Sequence, residues 1–223
     1  CVSFAHERKS EKNERILFHK IPTLDSDFVR VSASESVPQT ILASQDNGEN
    51  EQEIVDLTVE TVNAVRDLNP KTTIETLIPD FRGNSENIDR IIEVAPEVVS
   101  HNLETVRRLT REVRIQAKYD RSLEVLKYLK DNGINRTKSG LMLGLGETKE
   151  EVLETMEDLR NVGVDIITLG QYLQPTKKHL TVKDFITPEQ FKEYEIIGKE
   201  MGFRHVESGP LVRSSYKAHK HIH

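Results

Sequence analysis

SGLMLGLGETKEEV, residues 139–152, reads as an apolar strand that runs into glycines, an acid and a helix start. Thr148 and Glu151 have the spacing of a capping box, in which each residue satisfies a backbone N–H at the start of the helix. Val152, Leu153, Met156 and Leu159 then recur at helical spacing. A strand that turns through glycines into a helix often cradles phosphate. Here Gly144, Gly146 and Glu147 complete neither GxGxxG nor GxxxxGKS, and Glu147 would repel an anion. A neutral or cationic ligand with hydroxyl or amino donors suits this turn better.

The same alternation extends to both sides. Ile54, Leu57, Val62, Val65 and Leu68 make a helical stripe, and Asn69-Pro70 ends it. TTIETLIP (72–79) and PEVVSH (96–101) read as strands. RSLEVLKYLKDNG reads as a helix with Leu123, Leu126 and Leu129 on one face and Gly133 just past its end. VDIITLG (164–170) is a strand, and a helix opened by Thr187 and Pro188 and closed at Gly202 follows. FRHVESG (203–209) is the last strand. Crossover units of this length predict a parallel sheet covered by helices. The strands are apolar runs, as parallel strands are. The expectation is α/β: a partial (β/α)6 barrel whose first strand is 41–44, with an open doubly wound sheet as the second choice. Residues 1–50 are polar and irregular and read as a separate segment, and the barrel domain spans 51–223. FVRVSA (28–33) is the candidate to cover an edge left open there.

Composition narrows the classes. The net charge of −6 argues against a general nucleic-acid binder. No apolar run reaches the roughly 20 residues of a membrane span, and no secretory signal is visible. Cys1 is the only cysteine, so neither an internal disulfide nor a cysteine-rich metal site is available. The chain does not begin with Met, which reads as a fragment or a processed product.

In parallel β/α folds the chemistry sits at the C-terminal ends of the strands. Asp80-Phe81-Arg82-Gly83-Asn84, His101-Asn102-Leu103-Glu104-Thr105, Gly144 to Glu147, Gln171 to Pro175 and Ser208 to Tyr216 fall there. Together they mark one face as a ligand pocket. Each has a plainer alternative. His101 reads first as a satisfied strand-end histidine, Asp80 equally as a turn or cap residue, and Gly144 and Gly146 equally as turn glycines. Arg107, Arg108, Arg111 and Arg114 read as a solvated face, and Lys177, Lys178 and His179 as either solvated or turned to an acidic partner. His219, His221 and His223 alternate on a tail without the fixed geometry a metal needs. Lys138 suggests a Schiff-base lyase, but it lies at the start of its strand, the wrong end for barrel chemistry.

LIPDFRG, SHNLETV, TKSGLMLGLGET, LGQYLQPTKKHL and SGPLVRSSYKA resemble, in order and approximate spacing, the lipoyl synthases, a family of radical S-adenosylmethionine enzymes. The resemblance covers about residues 53–223. It implies insertion of two sulfurs at C6 and C8 of an octanoyl group carried by a lipoyl-carrier domain or H protein, in a bacterial cytoplasm or a mitochondrion, with no nucleic-acid or membrane partner. It implies that Gly140, Gly144 and Glu147 line the S-adenosylmethionine pocket, that Asn102 and Glu104 contact the same cofactor, and that Gln171, Tyr172 and Gln174 line its mouth. It implies that Ser215 is a ligand of an auxiliary 4Fe–4S cluster, and that Arg213 holds the tail or contacts the carrier. The family also has two three-cysteine motifs, CxxxCxxC and CxxxxCxxxxxC, and neither occurs here. The chain as written is therefore expected to be inactive. A binding module for S-adenosylmethionine or for a lipoyl carrier is the alternative.

Overall fold

The computed structural model describes residues 19–20, 28–32, 49–114 and 117–222. One sheet organises it, with strands β1 (His19–Lys20), β2 (Phe28–Ser32), β3 (Thr73–Leu77), β4 (Val98–Ser100), β5 (Arg136–Leu143), β6 (Ile166–Gln171) and β7 (His205–Gly209). The strands lie side by side in the order of the sequence. β1 pairs antiparallel with β2, and every later neighbour pair is parallel. A doubly wound sheet reverses its order at a switch point. This one never does, so the second-choice fold is set aside and the partial barrel holds. β2 occupies the first parallel position, as the substitute pairing of 28–33 anticipated. The strand expected at 41–44 lies outside the described residues.

The helices are α1 (Glu49–Leu68), α2 (Ser85–Glu93), α3 (Thr110–Val113), α4 (Tyr119–Asp131), α5 (Lys149–Asn161) and α6 (Pro188–Glu200). Their ends follow the sequence signals. Thr148–Glu151 and Thr187–Gln190 both form complete capping boxes. Gly133 and Gly202 take the left-handed φ values that close α4 and α6. α2 carries no proline and only a short apolar stripe, Ile88 and Ile91, and was not foreseen. Leu68, expected on the buried stripe of α1, is instead 79% exposed, because the stripe leaves the sheet at the helix end.

Parallel neighbours in register share a face. Leu141, Leu143, Ile167, Leu169 and Val206 point outward and pack on Leu126, Val152, Met156, Leu159, Phe191 and Tyr194 of the helices. Val99 and Ile78 do the same with Ile54, Ile88 and Leu129, and Ile74 with Val62 and Val65. Most of the apolar packing is therefore on the outer face, as a barrel with an outer helical ring requires. The inner face is polar. Leu77, Ser100, Lys138, Ile166 and His205 form one layer across five strands. Gly140, Thr168 and Glu207 form the next, and Met142, Gly170 and Gly209 the one after.

Candidate active site

The upper layers of the inner face open into a cavity of about 260 Å³. Leu77, Gly140, Met142, Thr168 and Gly170 supply its strand walls, Asn102 and Glu104 one flank, and Val212, Arg213 and Ser214 the opposite side. Glycines make room for this. A Cβ on Gly140 would lie 2.7 Å from Thr168 Oγ1 and 3.1 Å from Asn102 Oδ1. A Cβ on Gly170 would lie 2.3 Å from the carbonyl oxygen of Val212, so the C-terminal segment can cross the strand ends only over a glycine.

The exit of β4 is built to present acceptors. Glu104 N–H donates to Gly140 O at 2.9 Å, and Met142 N–H donates to Glu104 O at 2.8 Å, so the segment runs on beside β5. This holds Glu104 at φ +67°, in the left-handed region that a residue with a Cβ rarely adopts. Asn102 Nδ2 donates to Glu104 Oε1 at 3.0 Å. Asn102 Oδ1 is buried with no hydrogen-bond partner among the described residues. A buried acceptor without a donor is costly, and here it stands beside the cavity wall. Behind it, Arg114 donates from Nη1 to the carbonyls of Asn102 at 2.8 Å and Leu103 at 3.4 Å. Burial lowers the Arg114 pKa, and the Glu104 charge works against that. Arg114 was expected on a solvated arginine face. Its neighbours do stay at the surface, where Arg107 meets Asp120 and Asp158 and Arg108 meets Glu151. Arg114 turns inward because the β4 exit leaves carbonyls that need donors.

His101 is the satisfied strand-end histidine of the plainer reading. It is 1% exposed, with Nδ1 3.0 Å from Ile78 O and Nε2 2.8 Å from Ser122 Oγ. A carbonyl only accepts, so Nδ1 carries the proton and Nε2 accepts from the hydroxyl. Burial pushes its pKa down to about 4. Asp80 is also a cap: it accepts from Arg82 N–H and pairs with Arg121 at 2.7 Å.

The loop that opened the sequence reading is closed by the protein itself. Gly144 and Gly146 sit at φ +100° and +102°. A Cβ on Gly144 would meet Asp184 O at 2.3 Å and Gln171 Nε2 at 2.4 Å. The Glu147 carboxylate turns back and accepts from Gly144 N–H and Leu145 N–H. Gln171 donates to Asp184 O at 3.0 Å and accepts from Ile186 N–H at 3.0 Å. Tyr172 donates to Leu180 O and Gln174 to His179 O. Of the residues singled out as cofactor contacts, the structure thus gathers Asn102, Glu104, Gly140 and Gln171 at the cavity. Gly144, Glu147, Tyr172 and Gln174 shape the loops beside it and do not line it. Ser214 lines it, and Ser215, the next residue, does not. Thr168, Gly170, Met142 and Leu77 were missed. The period-2 rule puts Met142 on the face of Gly140, and Thr168 and Gly170 lie beside them in register on the next strand.

Lys138, expected at the start of its strand, is the third residue of β5. It is fully buried, with Nζ 2.9 Å from both oxygens of Glu75, and Ser100 Oγ donates to Glu75 Oε1 at 3.0 Å. His221 from the tail reaches the same place, with Nδ1 3.3 Å from Lys138 Nζ. An ammonium held by a carboxylate and sealed from solvent is no Schiff-base nucleophile, which sets the lyase reading aside. Among the described residues no group of His, Cys, Asp and Glu side chains could hold a metal ion, and no helix is long and apolar enough to cross a membrane.

Comparison with known proteins agrees with this architecture. A family profile described as the Radical SAM superfamily matches residues 39–159. The lipoyl synthase of Christiangramia forsetii is 77% identical over 163 residues, which cover 73% of this chain and 56% of that protein. The mitochondrial lipoyl synthase of Nematostella vectensis is 74% identical over 164 residues, which cover 74% of this chain and 56% of that protein. The chain thus spans little more than half the length of the curated relatives it matches. Two solved structures share the fold: HydG, a maturase of the FeFe-hydrogenase, has a TM-score of 0.59 at 17% identity and covers 80% of this chain and 40% of that one. Methylornithine synthase PylB also has a TM-score of 0.59, at 15% identity, and covers 81% of this chain and 49% of that one.

Proposed function

This chain belongs to the radical SAM superfamily, and we propose that within it the chain is the β/α-barrel part of a lipoyl synthase. The cavity carries the reading. Asn102, Glu104, Gly140, Gln171, Arg213 and Ser214, which line it, all fall in the stretches through which the sequence resembles that family. In this proposal S-adenosylmethionine binds at the β4 and β5 exits. The unpartnered Asn102 Oδ1 and the Glu104 carboxylate are acceptors for its amino and ribose donors, and Gly140 leaves the wall flat enough for close approach. The chemistry such a cofactor supplies is hydrogen-atom abstraction, here from C6 and C8 of a carrier-bound octanoyl chain. The protein's part is to hold the acyl chain beside the cofactor and to exclude water, which the segment over Gly170 does on one side. The compartment proposed is a bacterial cytoplasm or a mitochondrion.

The residues present do not fit a 4Fe–4S cluster. Such clusters are held by thiolates, and the 223 residues contain one cysteine. Ser215 alone does not hold one. A second reading therefore stands beside the first: this polypeptide is a non-catalytic module that binds S-adenosylmethionine or the carrier. Two measurements test the proposal. Titration calorimetry with S-adenosylmethionine is expected to give a single site, weakened by Asn102→Leu; no binding at all removes the cofactor site. Octanoylated carrier, cofactor and reductant are expected to give no lipoylated product with this chain, and product would mean that cluster ligands other than its own cysteines suffice.

A further inference from the structure

Residues 210–222, the tail after β7, turn back along the strand they leave. Val212 N–H donates to Gly209 O at 3.0 Å. Lys217 Nζ lies 3.4 Å from a Glu207 carboxylate oxygen. The His221 ring centroid lies 5.6 Å from that of His205. These contacts step down β7 by twos, from 209 to 207 to 205, along its inner face. The tail therefore runs antiparallel to β7 and enters the barrel toward the N-terminal ends of the strands. It is buried there: Ala218 is 2% exposed and His221 0%. Chain ends are poorly ordered unless something ties them down, and His221 is the tie.

Three titratable side chains face His221 among the described residues, each from a different strand. Lys138 of β5 has Nζ 3.3 Å from His221 Nδ1. Glu75 of β3 has Oε2 3.9 Å from the same nitrogen. His205 of β7 lies beside the ring. An ammonium only donates, so Nδ1 accepts and Nε2 carries the ring proton. Nε2 is buried with no hydrogen-bond partner among the described residues. A second proton has to go on Nδ1, where it sets one donor against another. Burial pushes the pKa of the seated ring below its ordinary value; the Glu75 carboxylate works against that, and the Lys138 charge and His205 add to it. Lys138 and Glu75 hold each other at 2.9 Å through both carboxylate oxygens without help from the ring. The tail can therefore leave without stranding a buried charge.

We propose that His221 is a proton-operated latch that keeps the C-terminal tail inside the barrel when neutral and lets it go when protonated. Release frees the segment that carries Arg213 and Ser214, and that side of the cavity opens. The latch is independent of the function proposed above. A released ring titrates near its ordinary value of 6.5, and the seated ring titrates lower, so the released tail takes the proton first. Seating is complete above about pH 6.5. It weakens by up to about tenfold per pH unit below that, until the seated ring also takes a proton.

Hydrogen exchange of the 223-residue chain, read by mass spectrometry and corrected for the intrinsic pH dependence of exchange, tests the latch. Between about pH 7.5 and 5.5, protection of residues 210–222 is expected to fall roughly tenfold, while residues 136–209 keep theirs. His221→Asn keeps an acceptor toward Lys138 and takes no proton, and His221→Phe keeps a ring. Both are expected to remove the pH dependence, and His219→Asn with His223→Asn to leave it in place. A variant whose tail stays unprotected at every pH shows that the ring is the tie, and with the wild-type fall it supports the latch. A wild-type tail whose protection does not change with pH overturns it. So does a pH dependence that survives both His221 variants, or a loss shared equally by residues 136–209, which is unfolding of the whole chain.

Discussion

His101 is sealed from water, and burial disfavours its charged form, so folding and protonation compete there. Its pKa in the folded chain, about 4, lies below its ordinary value. Between pH 6.5 and 4 the unfolded chain binds the proton and the folded chain does not. The stabilisation is complete above about pH 6.5 and is lost as pH falls toward 4, by on the order of 3 kcal/mol. Urea unfolding at pH 7, 5.5 and 4.5 should show that loss, and His101→Gln should flatten it. This window lies above that of the paired carboxylates of Asp56, Glu151 and Glu195, which hydrogen bonds from arginine or lysine hold below their usual range. The residue type alone left His101 open between ligand and structural group. A buried neighbour 21 positions away, Ser122, decides it, and no local pattern reveals such a pairing. Arg114 was misread for the same reason, since its carbonyl partners sit on another element. Glu147, expected beside a ligand, has its own loop amides as partners in this structure.

Among the elements, the strand exits divide the work. The β4 exit presents acceptors to the cavity, the β5 exit closes on itself, and the β6 exit pins the 172–187 loop through Gln171, Tyr172 and Gln174. The tail crosses the strand ends backbone against backbone at Gly170, and His221 seats it again beside Lys138. Gly170→Ala puts a methyl 2.3 Å from the Val212 carbonyl. Overpacking of that kind costs about 1–3 kcal/mol, and the tail, not the sheet, should yield. Limited proteolysis is expected to cut residues 210–222 faster in this variant while residues 136–209 stay protected. Cleavage spread evenly over the chain would mean that the tail is no separate unit. Helix ends were the most legible elements, because capping boxes and closing glycines are local chemistry. α2 was missed because nine residues hold too few turns for its period to stand out.

At the scale of the molecule, a mostly apolar outer face and an inner face that buries an ion pair divide the sheet. TIM-type barrels usually fill the centre with branched aliphatic side chains. Here Glu75, Lys138, Ser100 and His221 fill it. Removing one partner of a buried ion pair strands the other, at about 3–5 kcal/mol, whereas replacing both is close to neutral. Lys138→Met should therefore lower the unfolding midpoint sharply, and Lys138→Met with Glu75→Met should recover most of it. No recovery would mean that the pair holds something beyond itself in place. Which strands exist was readable from apolar runs. Which face was polar was not, since a strand apolar on both sides and one with a buried ion pair differ by a single residue.

The sheet order carries one more consequence. Each strand from β3 onward pairs with the strand made just before it. A chain leaving the ribosome can therefore lay down its sheet as it is synthesised, with no strand waiting for a partner not yet translated. Translation that halts between strands leaves a shorter sheet of the same kind, with its newest strand as the edge on which the next would grow.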